Sequence, residues 1–112
     1  MAYDEQLAER VRTAIAGESD LSETRMFGGL AFLLGGHMTV GVSGQGGLMV
    51  RVDPANTDSL VKSEGVTVME MRGRAMKGWL RVTPEAVATD DALAQWVAQG
   101  VAFVRTLPPK GS

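Results

Sequence analysis

Apolar residues recur at every second position in residues 24–52, which read TRMFGGLAFLLGGHMTVGVSGQGGLMVRV. Such alternation is typical of β-strands that bury one face. Its members fall into three series: Met26, Leu30, Phe32 and Leu34; Met38, Val40 and Val42; Leu48, Val50 and Val52. Gly35-Gly36 and residues 43–47 separate the series and are typical of hairpin turns. Gly28-Gly29 predicts either a bulge or a bend between two short strands. The segment therefore predicts an antiparallel meander.

Three segments outside the meander have helical patterns. Residues 3–16 repeat an apolar residue every fourth position, which gives one apolar stripe. Asp53-Pro54 is typical of the start of a helix and predicts a short second one. Thr89 precedes two aspartates and predicts the cap of a longer third helix. The expected buried residues of the first and third helices are Leu7, Val11 and Ile15, and Leu93, Trp96, Val97, Val101 and Val104.

Two further strands are predicted at residues 66–71 and 76–82, with Gly73 in the turn between them. The order is then helix, three or four strands, helix, two strands, helix. Strands grouped in runs favour an α+β fold, a two-layer α/β domain with an antiparallel sheet of five or six strands. The chain of 112 residues predicts a single domain over residues 1–107, followed by a flexible tail at residues 108–112.

Composition narrows the class of protein. The sequence has no cysteine, which excludes disulfides, zinc-thiolate sites and thiol nucleophiles. The first residues are acidic rather than basic and apolar, so no signal peptide is expected. We therefore expect a cytoplasmic protein with no membrane association. The net charge of −2 and the pI of about 5.3 argue against strong non-specific binding to nucleic acid.

Four short motifs resemble the N-terminal domain of the TfoX/Sxy family. They are RMFGG at residues 25–29, GHM at 36–38, LMVRV at 48–52 and MKGW at 76–79. The similarity runs from about Tyr3 to Leu107. It implies a fold like that of secretion chaperones, in the order helix, three strands, helix, two strands, helix. It also implies a role in competence and transcription regulation, in which regulators act with the cyclic-AMP receptor protein. Competence regulators carry a second, helical C-terminal domain, and the family supplies no catalytic residues.

Residues 71–81, MRGRAMKGWLR, hold four bases and no acid. On a strand from residue 76 to 82, Lys77, Trp79 and Arg81 would share one face. Such a face could stack a base on the tryptophan and hold phosphate with the cations. Alternatively, a second subunit or a helix covers Trp79, with the basic side chains packed over it. The candidate partner-binding residues are Arg72, Arg74, Lys77, Trp79, Arg81 and Met49.

The other reactive residue types lack the partners that catalysis needs. His37 is the only histidine, and no Cys, Asp or Glu neighbours it in a ligand spacing. Residues 44–47 are glycine-rich, but no GK[ST] follows, so they are not a P-loop. No serine lies in GxSxG, and no pair of carboxylates marks an acid–base site. We therefore expect no catalytic residues, no metal and no cofactor.

Three functions remain open from the sequence. The favoured one is a non-catalytic regulatory module that binds a protein, with transcription machinery among the conceivable partners. The alternatives are a nucleic-acid-binding protein that uses residues 72–81 and an enzyme of unknown class. We also expect a homodimer, because a two-layer domain leaves one sheet face open, and this face would carry Met49, Trp79 and Met69.

Overall fold

A computed structural model describes residues 3–26 and 28–108 of the chain. Three helices and six strands follow one another in the order helix, four strands, helix, two strands, helix. Their bounds are α1 Glu5–Ile15, β1 Leu21–Met26, β2 Gly29–Leu34, β3 His37–Val42, β4 Leu48–Arg51, α2 Thr57–Leu60, β5 Val66–Met71, β6 Arg74–Val82 and α3 Asp90–Val104. The α+β fold is thus confirmed. The meander has four strands, one more than the family resemblance implies, because a turn at Gly28 separates β1 from β2.

Side-chain caps fix where the helices begin. Asp4 Oδ1 accepts hydrogen bonds from the backbone N–H groups of Gln6 and Leu7. Thr89 Oγ1 accepts one from Ala92 N–H at the start of α3. Asp53 caps a short 3₁₀ turn, Pro54–Asn56, that leads into α2. Each cap satisfies a donor that the first helical turn leaves unpaired, so the capping positions predicted at Asp53 and Thr89 are confirmed.

All strand pairs in the six-stranded sheet are antiparallel, in the order β1-β2-β3-β4-β6-β5. The second strand of the last hairpin, β6, pairs with β4, and β5 therefore forms one edge of the sheet. The other edge is β1. The three helices cover one face, and their apolar side chains join those of the strands in one core. We call the opposite surface of the sheet the outer face.

Most of the expected core positions are buried. Phe32, Val40, Val50 and Leu80 are fully buried beneath the helices. Val101 and Trp96 are exceptions, since each is only half-buried. The expected stripe on α3 is shifted, and its buried residues are Leu93, Val97, Gly100 and Val104.

A glycine that the apolar pattern does not include lets α3 approach the sheet. A Cβ on Gly100 would lie 2.8 Å from the carbonyl oxygen of Thr39 and 3.2 Å from Cγ1 of Val40. The helix therefore crosses β3 almost in contact with its backbone. This close crossing explains why a residue of low helix propensity stands in the interior of α3.

A β-bulge changes the side of the sheet to which the first residues of β3 point. Phe32 pairs with Val40, but the next residue, Leu33, pairs with Met38, so Thr39 is the extra residue. The sequence pattern predicts Met38 on the buried face with Val40, and this prediction is wrong. The extra residue turns Met38 to the outer face.

Candidate functional site

The outer face lacks a covering layer, yet several of its residues are inaccessible to solvent. The strand registers place Ala31, Gly41 and Met49 on this face. The core residues next to them in the sequence point to the other side of the sheet. Ala31 is fully buried and Met49 is 6% exposed, and neither belongs to the core cluster. Neighbouring side chains on the same face must therefore cover them.

Two methionines provide part of that cover. A Cβ on Gly41 would lie 3.0 Å from the terminal methyl carbon of Met38 and 3.1 Å from that of Met49. The two side chains thus meet over Gly41, where the absence of a side chain leaves room for them. Methionine packs adaptably against irregular surfaces, which suits a face that can accept another molecule.

Arg51 forms the polar centre of an aromatic cluster at the end of β4. It pairs across the sheet with Trp79 of β6. Its guanidinium carbon lies 5.1 Å from the centre of the Trp79 ring and 5.4 Å from that of Phe103 in α3. Both distances are in the range of a cation–π interaction. The cluster therefore links the rim of the outer face to the helical layer.

Arg81 lies on the outer face opposite Met49, and its Nη2 donates a hydrogen bond of 3.3 Å to Ser43 Oγ. Lys77 has a different environment. Gly78 between Lys77 and Trp79 has a φ of +91°, and Lys77 Nζ lies 3.9 Å from Asp58 Oδ2 of α2. Trp79 and Arg81 thus share the predicted surface, while Lys77 points toward an acid of the helical layer.

Arg72 and Arg74 occupy the far end of the same hairpin. Arg72 has a φ of +54° in the β5–β6 turn, and both arginines are exposed. Arg81 lies seven positions after Arg74 on β6, a distance of roughly 20 Å along a strand. Five of the six candidate residues therefore form two groups: the turn arginines, and the outer-face group of Trp79, Arg81 and Met49. Lys77, near Asp58, belongs to neither. Sequence reasoning omitted Arg51, although the alternation of residues 48–51 places it on the face of Met49.

The model of the TfoX N-terminal domain family matches residues 5–104, nearly the whole chain. The chain belongs to the TfoX N-terminal domain family. That family is associated with competence regulation. Neither curated proteins nor solved structures gave a match.

His37 has a structural environment in this TfoX N-terminal domain. Its Nε2 lies 2.6 Å from the carbonyl oxygen of Pro108, so this nitrogen carries the proton and donates it. Nδ1 is buried and has no hydrogen-bond partner among the described residues. The contact holds the first residue of the expected tail against β3, and residues 109–112 of that tail lie outside the described part of the chain.

The carboxylates of the TfoX N-terminal domain are spread over caps and surface ion pairs. In residues 3–26 and 28–108, no three His, Cys, Asp or Glu side chains form a group that could hold a metal ion. Gly47 in the glycine-rich loop packs against the carbonyl oxygen of Val82, and Ser43 Oγ accepts a hydrogen bond from Gln45 N–H. The loop is thus a hairpin connection between β3 and β4. No helix in the described residues is long and apolar enough to cross a bilayer.

A shallow groove lies between α2 and α3 on the helical side. Leu60, Val66 and Trp96 supply its apolar lining, and Glu64 is its one charged residue. A single carboxylate without a second titratable group lacks the acid–base pair that most hydrolytic mechanisms need. The outer face, with its aromatic cluster and methionines, is therefore the better candidate for a functional surface.

Proposed function

We propose that this TfoX N-terminal domain is a non-catalytic, cytoplasmic binding module whose outer face takes up a protein partner. One observation carries the proposal: the outer face combines Trp79, Arg51 and Arg81 with Met38 and Met49 on a rigid sheet. Tryptophan, arginine and methionine are the residue types that interface centres favour. A family association with competence regulation supports a partner from the transcription machinery.

The charge of the outer face favours an acidic partner. On β4 and the Trp79–Val82 part of β6, the charged residues facing outward are Arg51 and Arg81. The chain as a whole carries a net charge of −2, so this face differs in sign from the rest of the molecule. A partner surface with carboxylates around an apolar centre would be attracted to it and would satisfy both guanidinium groups.

The same contacts weigh against a nucleic-acid surface. Arg51 already lies against the Trp79 ring, where a base would need to stack. Lys77 lies near Asp58, and the turn arginines stand at the other end of β6. A phosphate backbone would therefore meet scattered cations in an acidic protein, which gives weak attraction.

The proposal is tested by recovering partners of the tagged protein from its native cell and identifying them by mass spectrometry. The identified partner is then purified, and its affinity is measured for wild type, Trp79→Ala and Arg51→Ala. We expect each variant to raise the Kd about tenfold or more, since truncation of a central aromatic or arginine typically costs about 2 kcal/mol. Trp96→Phe, in the groove on the opposite layer, is the matched control and should bind normally.

Two results would overturn the proposal. One is recovery of RNA or DNA whose binding weakens steeply with salt and is lost in Trp79→Ala, because that behaviour defines a nucleic-acid surface. The other is a partner whose affinity is unchanged by both outer-face variants and reduced by Trp96→Phe. That outcome would move the binding site to the helical side.

A further inference from the structure

The free edge of β1 is regular, whereas the other edge of the sheet is not. All six residues of β1 pair with β2 in one unbroken register. At the opposite edge, the pairing of β5 shifts between Val68 and Glu70. Bulges protect an edge strand from pairing with another chain, and a straight edge without proline lacks that protection. Of the two edges, β1 is therefore the one able to accept an added strand.

The register also tells which backbone groups of β1 face outward. Gly35 N–H donates to the Asp20 carbonyl oxygen, so the pair formed by these residues is hydrogen-bonded. Hydrogen-bonded and non-hydrogen-bonded pairs alternate along an antiparallel ladder. Ser22 and Thr24 consequently direct their backbone groups toward β2. Leu21, Glu23 and Arg25 present their N–H and C=O groups to the free edge.

A second copy of the chain can use these groups in only a few symmetric registers. A two-fold axis at Glu23 places two glutamates directly opposite each other, and an axis at Arg25 does the same with two arginines. Like charges directly opposite are unfavourable across a strand pair. An axis at Ser22 leaves Arg25 unpaired, because β1 begins only at Leu21, directly after Asp20 with its φ of +58°.

An axis at Thr24 avoids all of these penalties. It pairs Glu23 with Arg25 of the second copy and Arg25 with Glu23, and both pairs are hydrogen-bonded through the outward backbone groups. Their side chains lie on the helical face, because Glu23 stands opposite the core residue Phe32. Arg25 is exposed and forms no ion pair with any residue in 3–26 or 28–108, so it is available for this contact.

An arginine of α1 already holds the Glu23 carboxylate in position. Arg12 Nε lies 2.8 Å from Glu23 Oε2, and Arg12 Nη2 lies 2.9 Å from Oε1. These hydrogen bonds lower the pKa of Glu23 and keep it ionised. A fixed carboxylate loses less entropy when a second arginine approaches, which favours the cross-strand pair.

We propose that β1 is a homodimer interface, in which a second copy adds antiparallel to β1 about a two-fold axis at Thr24. The two six-stranded sheets then form one continuous sheet, with both helical layers on the same side. The outer face of each copy stays free for a partner, so the inference is independent of the proposed function. It replaces the outer face as the expected dimer surface.

The test uses complementary charge variants and measures mass by sedimentation. Wild type at about 100 µM, a concentration suited to a small interface, should give a species of twice the 11.9 kDa chain mass. Arg25→Glu places two glutamates opposite each other at both pairs and should raise the dimer Kd about tenfold or more. Glu23→Arg does the same with arginines. An equimolar mixture of the two variants restores opposite charges at both pairs and should associate.

Arg74→Glu at the far end of the sheet is the matched control and should dimerise normally. Circular dichroism checks that each variant is folded, and Arg25→Glu alone decides the question if Glu23→Arg does not fold. A wild type that stays monomeric would overturn the proposal. So would a dimer that is insensitive to Arg25→Glu, or one that Trp79→Ala dissociates, since the latter belongs to the outer face.

Discussion

Replacement of Gly100 by alanine separates local helix propensity from the packing of α3 on the sheet. Alanine is favoured over glycine by about 1 kcal/mol in a helix interior, so propensity alone predicts a more stable protein. The added Cβ, however, would lie 2.8 Å from the Thr39 carbonyl oxygen, whereas ordinary contact begins near 3.4 Å. The helix would have to move by about 0.6 Å, away from a backbone atom that cannot rotate aside. Overpacking of this kind costs about 1–3 kcal/mol.

We expect Gly100→Ala to lose up to about 2 kcal/mol of unfolding free energy, because the propensity gain of about 1 kcal/mol only partly offsets the steric cost. Urea titration followed by circular dichroism measures the loss, and the Tm should fall by up to roughly 10 °C. Two variants serve as controls. Ala98→Gly, at an exposed position of the same helix, should cost about 1 kcal/mol through propensity alone. Gly17→Ala has open space around the new methyl and should be close to neutral. A Gly100→Ala protein that is more stable than wild type by the propensity gain of about 1 kcal/mol would refute the close crossing of α3 over β3.

Three further predictions concern the core, a buried hydrogen bond and a surface ion pair. Leu93→Ala should cost about 2–4 kcal/mol in urea titrations, since Leu93 is almost fully buried, and a value near zero would mean that α3 does not dock as described. Thr57→Val should cost about 1–3 kcal/mol, because the hydroxyl accepts the Gly78 N–H at 2.9 Å inside the protein; Thr57→Ser keeps that bond and should cost less. The pKa of Glu23 is lowered by Arg12, so its contribution to stability is present above pH 4.5 and is lost as the pH falls through the folded-state pKa. The difference in unfolding free energy between wild type and Glu23→Gln should therefore shrink on acidification, and a difference that stays constant below pH 4.5 would contradict this.

Much of the fold follows from residues whose patterns have local causes. Alternation marks β2 and β4, and glycines with positive φ mark the turns at residues 35–36 and 46–47. The start of β1 is harder to predict, because Glu23 and Arg25 occupy the positions where apolar residues would signal a strand. Glu23 is instead paired with Arg12, which lies 11 residues earlier in the chain. A contact of that kind leaves no periodicity in the sequence.

The candidate site was predictable only in part. The pattern of residues 76–82 places Trp79 and Arg81 on one face, as the strand register does. Nothing local indicates that β6 pairs with β4, and this pairing brings Arg51 and Met49 to the same surface. The left-handed conformation of Gly78 likewise separates Lys77 from Trp79, and a strand pattern assigns both to one face.

The bulge at Thr39 decides on which side of the sheet the first two residues of β3 lie. If Thr39 paired regularly with Leu33, the residues of β3 that precede it would move to the opposite side of the sheet. Met38 would turn toward the helices, and His37 would lose its contact with the Pro108 carbonyl. Deletion of Thr39, by contrast, leaves Met38 opposite Leu33 and His37 opposite Leu34, so a relative that lacks this residue should keep both side chains on their present sides of the sheet.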